Sequence, residues 1–158
     1  SEAPAQRATT ARGGRRLRLW AHIYLHMQVP GFDLVPRLIG RNGCNMRRIF
    51  EATSAKVRIR GRGSGHKEGD SHTEAPTPLM VAVTTDKGDV QGFRAAMDLV
   101  IRDLRSTEQR FQVFCEKQKI RHEGPCFSFG LLPEEARQCL GALCDGVPMA
   151  TGSRHPEA

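Results

Sequence analysis

The sequence contains no apolar run approaching the roughly 18 residues that a membrane-spanning helix requires. Its 158 residues include a single Trp and a single Tyr, and aromatic residues make up only 6% of the chain. We therefore expect no membrane segment. A chain of this length can nevertheless bury the core of one full domain, so we expect a single domain with tails.

Cysteine pairs are also missing. The five cysteines form an odd set in which no two have C-x-x-C spacing, whereas zinc sites usually contain closely spaced pairs. We expect reduced thiols of an intracellular protein, with no metal and no cofactor. A zinc site is the less favoured alternative, and its ligands would be His122, Cys126, Cys139 and Cys144.

The sequence offers little support for catalysis. His66 and His72 fall in a polar, glycine-rich stretch, and no spacing of the cysteines and histidines pairs a nucleophile with a base. Such a pairing is the first requirement of a nucleophilic active site. We therefore do not expect an enzyme.

The chain has fewer acidic than basic residues: 17 Asp and Glu against 24 Lys and Arg, which gives a net charge of +7. This excess favours a polyanionic partner or an acidic surface.

Residues 1–16 are rich in Arg and lack apolar periodicity, so we expect a disordered basic arm. Two interpretations of the arm are equally compatible with its charge: it binds phosphates non-specifically, or it is a solvated terminus. An organelle transit peptide is a third interpretation and is less favoured than these two. Because the sequence begins at Ser1, we expect a trimmed chain or a fragment.

The most informative feature is a pair of glycines three positions apart, Gly40 and Gly43. Glycine has no Cβ, so its backbone can adopt φ > 0 and let a ligand approach closely. The apolar spacing that follows predicts a helix beginning at Cys44 or Asn45. The first-turn amides of a helix lack internal partners, and its dipole is positive at this end, which suits a phosphate chain. Three arginines accompany the turn: Arg41, Arg47 and Arg48.

A β-branched strand is predicted over residues 56–60, after about ten helical residues. Residues 61–78 follow as a loop with four glycines and two prolines. This order of glycine turn, helix and strand is that of a KH domain, whose loop clamps a backbone of about four nucleotides.

Residues 17–27 alternate between apolar and polar side chains and form the clearest predicted strand. Its polar face carries Trp20 and Tyr24, which need either cover or a partner. Packing by a terminal segment is the favoured interpretation. A surface for a protein partner or for self-association is the alternative.

Other elements are predicted from local patterns. We expect a short helix over residues 36–39, a strand over 79–85, and a helix capped by Asp86 or Asp89 that runs on to about Lys119. A last short helix follows Leu132, and residues 146–158 are expected to be disordered. Two further residues are expected in the core: Ile49 and Phe50.

The motif Leu38-Ile39-Gly40-x-x-Gly43-x-x-Met46-x-x-Ile49 resembles that of eukaryotic type I KH domains. Residues 55–64, followed by Lys67-Glu68-Gly69, resemble the subgroup of splicing branch-point-binding proteins and Quaking-like STAR proteins. The match is free of gaps over residues 38–64 and continues more loosely to about Leu104.

The resemblance implies an α+β, type I KH fold with the order β-α-α-β-β-α, a three-stranded antiparallel sheet, helices on one face, and a C-terminal helical extension. The KH domain would span residues 17–106 with a variable loop at 61–78, and the extension would span 107–145. A uridine- and adenine-rich element is the RNA sequence that the subgroup suggests.

The resemblance also implies single-stranded RNA as the partner, in pre-mRNA or mRNA processing, within the nucleus or the cytoplasm; single-stranded DNA is less favoured. Phosphates would lie on the glycine turn and bases in an apolar groove. A KH-fold module that binds only protein remains the alternative. The predicted RNA-binding residues are Arg37, Leu38, Ile39, Gly40, Arg41, Asn42, Gly43, Met46, Arg47, Arg48, Val57, Arg58, Ile59, Arg60 and Arg62.

Overall fold

One antiparallel sheet of four strands organises the part of the chain that a computed structural model describes, residues 17–150. The predicted basic arm and residues 151–158 lie outside this part. The elements in chain order are β1 Arg18–Leu25, α1 Leu34–Ile39, α2 Cys44–Thr53, β2 Lys56–Arg60, β3 Lys67–Glu68, β4 Thr73–Glu74, β5 Met80–Asp86, α3 Val90–Gln118, β6 Phe127–Phe129 and α4 Glu134–Leu140.

The sheet has the strand order β2-β5-β1-β6, and every neighbouring pair is antiparallel. Ile23 in β1 lies opposite Val81 in β5 on one side and opposite Phe129 in β6 on the other. Residues in register point to the same face of a sheet. These three side chains are buried, and they belong to the face on which α1, α2 and α3 pack.

Helix α3 contributes more buried residues to the core than any other helix of the described chain. Its buried stripe includes Phe93, Met97, Val100 and Leu104, which follow the helical period. Of the two candidate caps, Asp89 is the one that closes the first turn, because its side chain accepts a hydrogen bond from the Gly92 amide at 2.9 Å.

The architecture is the predicted type I KH fold, with its order of three strands and three helices and with helices on one face of the sheet. Strand β2 has the predicted bounds. The predicted variable loop contains a small hairpin, β3 and β4. The sheet differs from the expected three strands because β6 adds a fourth at the β1 edge.

The segment after the KH core, expected to be helical, also contains a strand. Helix α3 continues unbroken through residues 106 and 107, and the chain then returns to add β6 to the sheet. The expectation of disorder is wrong for residues 146–150. The Phe129 amide donates to the carbonyl of Pro148 at 2.8 Å, and the Ala150 amide donates to the carbonyl of Phe129 at 2.7 Å.

One core assignment is wrong. Ile49 is fully buried, as expected, but the next residue, Phe50, is 51% exposed. Successive residues of a helix are turned by about 100° from each other, so the α2 face that buries Ile49 turns Phe50 toward solvent.

We predict that Phe129→Ala lowers the free energy of unfolding by about 3–5 kcal/mol, because it removes a fully buried ring from the core and leaves a cavity. Urea titration followed by circular dichroism measures the change. Phe50→Ala is the matched control and should lower the free energy of unfolding by no more than about 0.5 kcal/mol. Equal effects of the two substitutions would show that β6 is not part of the folded core.

His22, in the middle of β1, is a residue from which we expect the stability to depend on pH. Its Nδ1 atom is buried without a hydrogen-bond partner among the described residues. Burial, with a smaller contribution from the positive charge of Arg60, lowers the pKa of His22 from its ordinary value of 6.5. As the pH falls below this value, the unfolded chain takes up the proton before the folded one, so stability is lost.

We therefore predict that the free energy of unfolding decreases as the pH falls from 7.5 through 6.5 (the ordinary His pKa) toward about 5.5. His22→Gln should make this decrease smaller, because the substituted side chain does not titrate. His72→Gln, at an exposed loop position, is the control and should retain the parental slope. An unchanged slope in His22→Gln would contradict the prediction. Denaturant titrations at several pH values provide the measurement.

Candidate nucleic-acid interface

The glycine turn joins α1 to α2 through left-handed backbone. Gly40, Asn42 and Gly43 have φ values of 78°, 55° and 72°, a region that glycine enters freely and that asparagine tolerates better than most residues. The Gly43 amide closes the turn by donating to the carbonyl of Gly40 at 3.1 Å. The side chains of Arg41 and Asn42 are exposed, so the turn forms an open corner at the N-terminus of α2.

Asn45 holds this corner in place. Its Nδ2 donates to the carbonyl oxygens of Arg37 and Leu38, at 3.3 and 3.2 Å, and so ties the last turn of α1 to the first turn of α2. A Cβ atom at Gly40 would lie 2.8 Å from the Asn45 side chain. Sequence reasoning missed this role; the available signal was an amide side chain just after the second glycine.

A groove of about 310 Å³ opens beside the turn. Its apolar wall comes from Ile39 at the end of α1, Met46 in α2, and the β2 residues Val57 and Ile59. Four of the five predicted groove residues therefore meet here. The fifth, Leu38, is buried and borders only a gap of about 10 Å³. Ile59 lines the groove but is itself only 6% exposed.

The variable loop supplies the opposite wall, through Ser64, Gly65 and His66. Glu74 shapes this wall, because its carboxylate accepts hydrogen bonds from the amides of Gly65 (2.6 Å) and Gly63 (3.3 Å). The Gly65 bond, followed by the Gly63 bond, lowers the pKa of Glu74, so this carboxylate is ionised at neutral pH. The sequence carried no signal for this contact, since the partners belong to a loop without periodicity.

The predicted arginines divide into two groups. Arg41 and Arg47 are exposed beside the turn, and Arg58 lines the groove. The other four make contacts within the protein: Arg37 lies 4.8 Å over the Phe32 ring, Arg48 bonds Asp103 at 3.3 Å, Arg60 bonds Glu68 at 2.6 Å, and Arg62 donates to the Pro76 carbonyl at 3.3 Å.

The Arg60–Glu68 pair changes the charge next to the groove. The hydrogen bond from Arg60 is the main cause that lowers the pKa of Glu68, so both partners are charged at neutral pH and largely cancel. Arg37 and Arg62 keep their charge, because a ring and a backbone carbonyl do not neutralise it. The cations that lie beside the turn or line the groove without such contacts are Arg41, Arg47 and Arg58.

Residues 17–150 carry neither a metal-binding cluster nor a membrane-spanning helix. This part of the chain holds no group of three or more His, Cys, Asp or Glu side chains arranged to bind a metal ion. The five cysteines are free. No helix within the same range has the length and hydropathy to cross a membrane.

Comparison with known proteins agrees with this geometry. No curated protein matches the chain. A family model described as "KHDC4/BBP-like, KH-domain type I" matches residues 28–104, a range that includes the glycine turn, both walls of the groove and most of α3's buried stripe. The resemblance to branch-point-binding KH domains is thereby confirmed. Residues 28–104 belong to the KHDC4/BBP-like group of type I KH domains, an RNA-binding fold.

Proposed function

We propose that the chain binds single-stranded RNA, without catalysis, through the glycine turn and the adjoining groove. The observation that carries the proposal is the juxtaposition of an exposed left-handed corner at residues 40–43 with a groove of about 310 Å³. The corner offers main-chain donors to phosphates, and the groove offers an apolar floor to bases.

Phosphates would follow the outer side of the turn. The dipole of α2 makes this end of the helix mildly positive and favours anions. The amides of Gly40, Gly43 and Cys44 donate to carbonyls of α1 and of the turn itself, so a phosphate would use the other amides around them. Arg41 and Arg47 stand on either side of these amides in the sequence, and both are exposed. These contacts are independent of base identity and would supply much of the affinity.

Bases would enter the groove beside β2. This strand is the edge of the sheet, so one row of its amides and carbonyls is not used by strand pairing. Met46 and Val57 give a base an apolar surface, while the free backbone row can read the base edge through hydrogen bonds. Arg58 lines the same groove and adds a donor for a phosphate or a base.

The group to which residues 28–104 belong suggests a role in pre-mRNA or mRNA processing. We extend the proposal to such a role, in the nucleus or the cytoplasm, with a uridine- and adenine-rich RNA as the first probe. The 2′-hydroxyl distinguishes RNA from DNA, so competition with a single-stranded DNA of the same sequence tests the preference for RNA.

We predict that replacing Arg41 and Asn42 together by Asp abolishes detectable RNA binding, because two carboxylates would face the phosphates. The fold should survive, since both side chains are exposed and Asp tolerates the left-handed backbone at position 42. Fluorescence anisotropy with a labelled RNA of about four nucleotides measures the binding, and circular dichroism checks the fold.

The matched control is the replacement of Arg137 and Gln138 by Asp, which changes the charge equally. Both residues are exposed in α4, which follows β6 at the sheet edge opposite β2. The control should bind as the parent does. If the folded Arg41/Asn42 variant also binds normally, the glycine turn is not the phosphate site.

We also predict how binding to this short RNA depends on salt. With Arg41, Arg47 and Arg58 each neutralising one phosphate, the logarithm of the binding constant should fall with the logarithm of salt concentration at a slope of about −2. Arg41→Ala should reduce the slope to about −1.4. Arg48→Ala is the control: Arg48 pairs with Asp103, so its loss should leave the slope unchanged. A slope near zero for the parent would exclude phosphate-driven binding.

A further inference from the structure

The face of the sheet opposite the helices carries an ordered pattern of side chains. Strand register places residues of β2, β5 and β1 in three rows across this face. Each row runs from a basic residue in β2, through a small or apolar residue in β5, to a ring in β1. The rows are Lys56–Thr84–Trp20, Arg58–Ala82–His22 and Arg60–Met80–Tyr24.

The third row is already occupied. Arg60 is paired with Glu68 of the variable loop. The Tyr24 ring packs so closely on Gly130 that a Cβ atom there would lie 2.6 Å from it. The C-terminal segment thus provides, for Tyr24, the cover that the sequence led us to expect.

The first two rows remain accessible. Lys56 and Arg58 are exposed, while Trp20 and His22 are each about half buried. The two rings lie 4.8 Å apart between centroids and are tilted by 48°. Because burial and Arg60 lower the pKa of His22, its ring is neutral at physiological pH. We call the four side chains Trp20, His22, Lys56 and Arg58 the outer face.

The chemistry of the outer face favours a polyanion with planar groups. Rings on which bases stack, together with cations that track phosphates, are what sequence-tolerant surfaces for single strands contain. A basic segment of the same chain is a poor fit, because it would bring positive charge to Lys56 and Arg58. A second copy of the outer face would carry the same charges.

The outer face is continuous with the groove. Arg58 lines the groove and also stands in the second row. Strand β2 is the sheet edge, so a strand that leaves the groove crosses only β2 to reach the other face of the sheet.

We propose that a single-stranded RNA longer than the groove can hold continues over β2 onto the outer face, where bases stack on Trp20 and His22 and phosphates meet Lys56 and Arg58. This proposal rests on the RNA binding proposed above. It makes the outer face a second, sequence-tolerant contact that adds affinity only for longer RNA.

Trp20 is the only tryptophan of the chain, so its fluorescence reports directly on this contact. Two uridine- and adenine-rich RNAs are compared, one of about four nucleotides and one of about twelve. The longer RNA should quench Trp20 emission and the shorter one should not. Trp20→Leu, which retains an apolar side chain, should weaken binding of the longer RNA at least about fivefold, the loss expected for one stacked base. Lys56→Glu should also weaken it, because a carboxylate would then face a phosphate. Neither should alter binding of the shorter RNA.

Lys117→Glu, an exposed substitution near the end of α3, is the matched control and should bind both RNAs as the parent does. The proposal is overturned if the longer RNA leaves Trp20 emission unchanged. It is also overturned if the Trp20→Leu and Lys56→Glu variants bind both RNAs as the parent does. It is also overturned if Trp20 emission changes with protein concentration in the absence of RNA, which would indicate self-association. The Arg41/Asn42 double variant separates this outcome from the first proposal, because it removes binding of the shorter RNA whatever the outer face does.

Discussion

The structure depends on a reversal of chain direction within four residues. Left-handed backbone at Gly40, Asn42 and Gly43 lets α1 end and α2 begin at the same corner. This reversal sets Ile39 and Met46 side by side in one groove wall. It also places the N-terminus of α2 beside the exposed side chains of Arg41 and Asn42. A residue with a β-branched side chain at these positions would strain the turn, and the wall and the helix N-terminus would be displaced together.

The two edges of the sheet differ: one is covered by an additional strand and the other is not. The proposed RNA groove lies at the uncovered edge. At the β1 edge, β6 pairs with β1, and residues 146–150 pack against β6 in turn. The β2 edge has no further strand in the described sheet. An open edge is a hazard for a protein because other chains can pair with it. Here α2 and the variable loop flank the edge and leave a groove between them, the groove in which we propose that bases bind.

Local patterns were sufficient to predict most of the KH core. The bounds of β2, the start of α2 and the buried stripe of α3 follow from alternation and helical spacing, since each reports which side of one element is buried. Strand β6 was missed because three residues are too few to show a period. The exposure of Phe50 was missed because a single apolar residue next to a periodic stripe is ambiguous. Asn45 and Glu74 act through hydrogen bonds to backbone, which leave no trace in hydropathy.

The site was harder to predict than the fold, because the availability of a charge depends on partners distant in the sequence. Asp103 engages Arg48 across 55 positions, and Glu68 engages Arg60 from within the variable loop. The count of 24 Lys and Arg residues therefore overstates the number of cations that can face a ligand. The ion pair between Arg60 and Glu68 neutralises a cation near the groove. The same pair ties β2 to the variable loop, which forms one wall of the groove. If the groove binds RNA as we propose, its affinity would rest on few cations, whereas the Arg60–Glu68 pair helps to fix its shape.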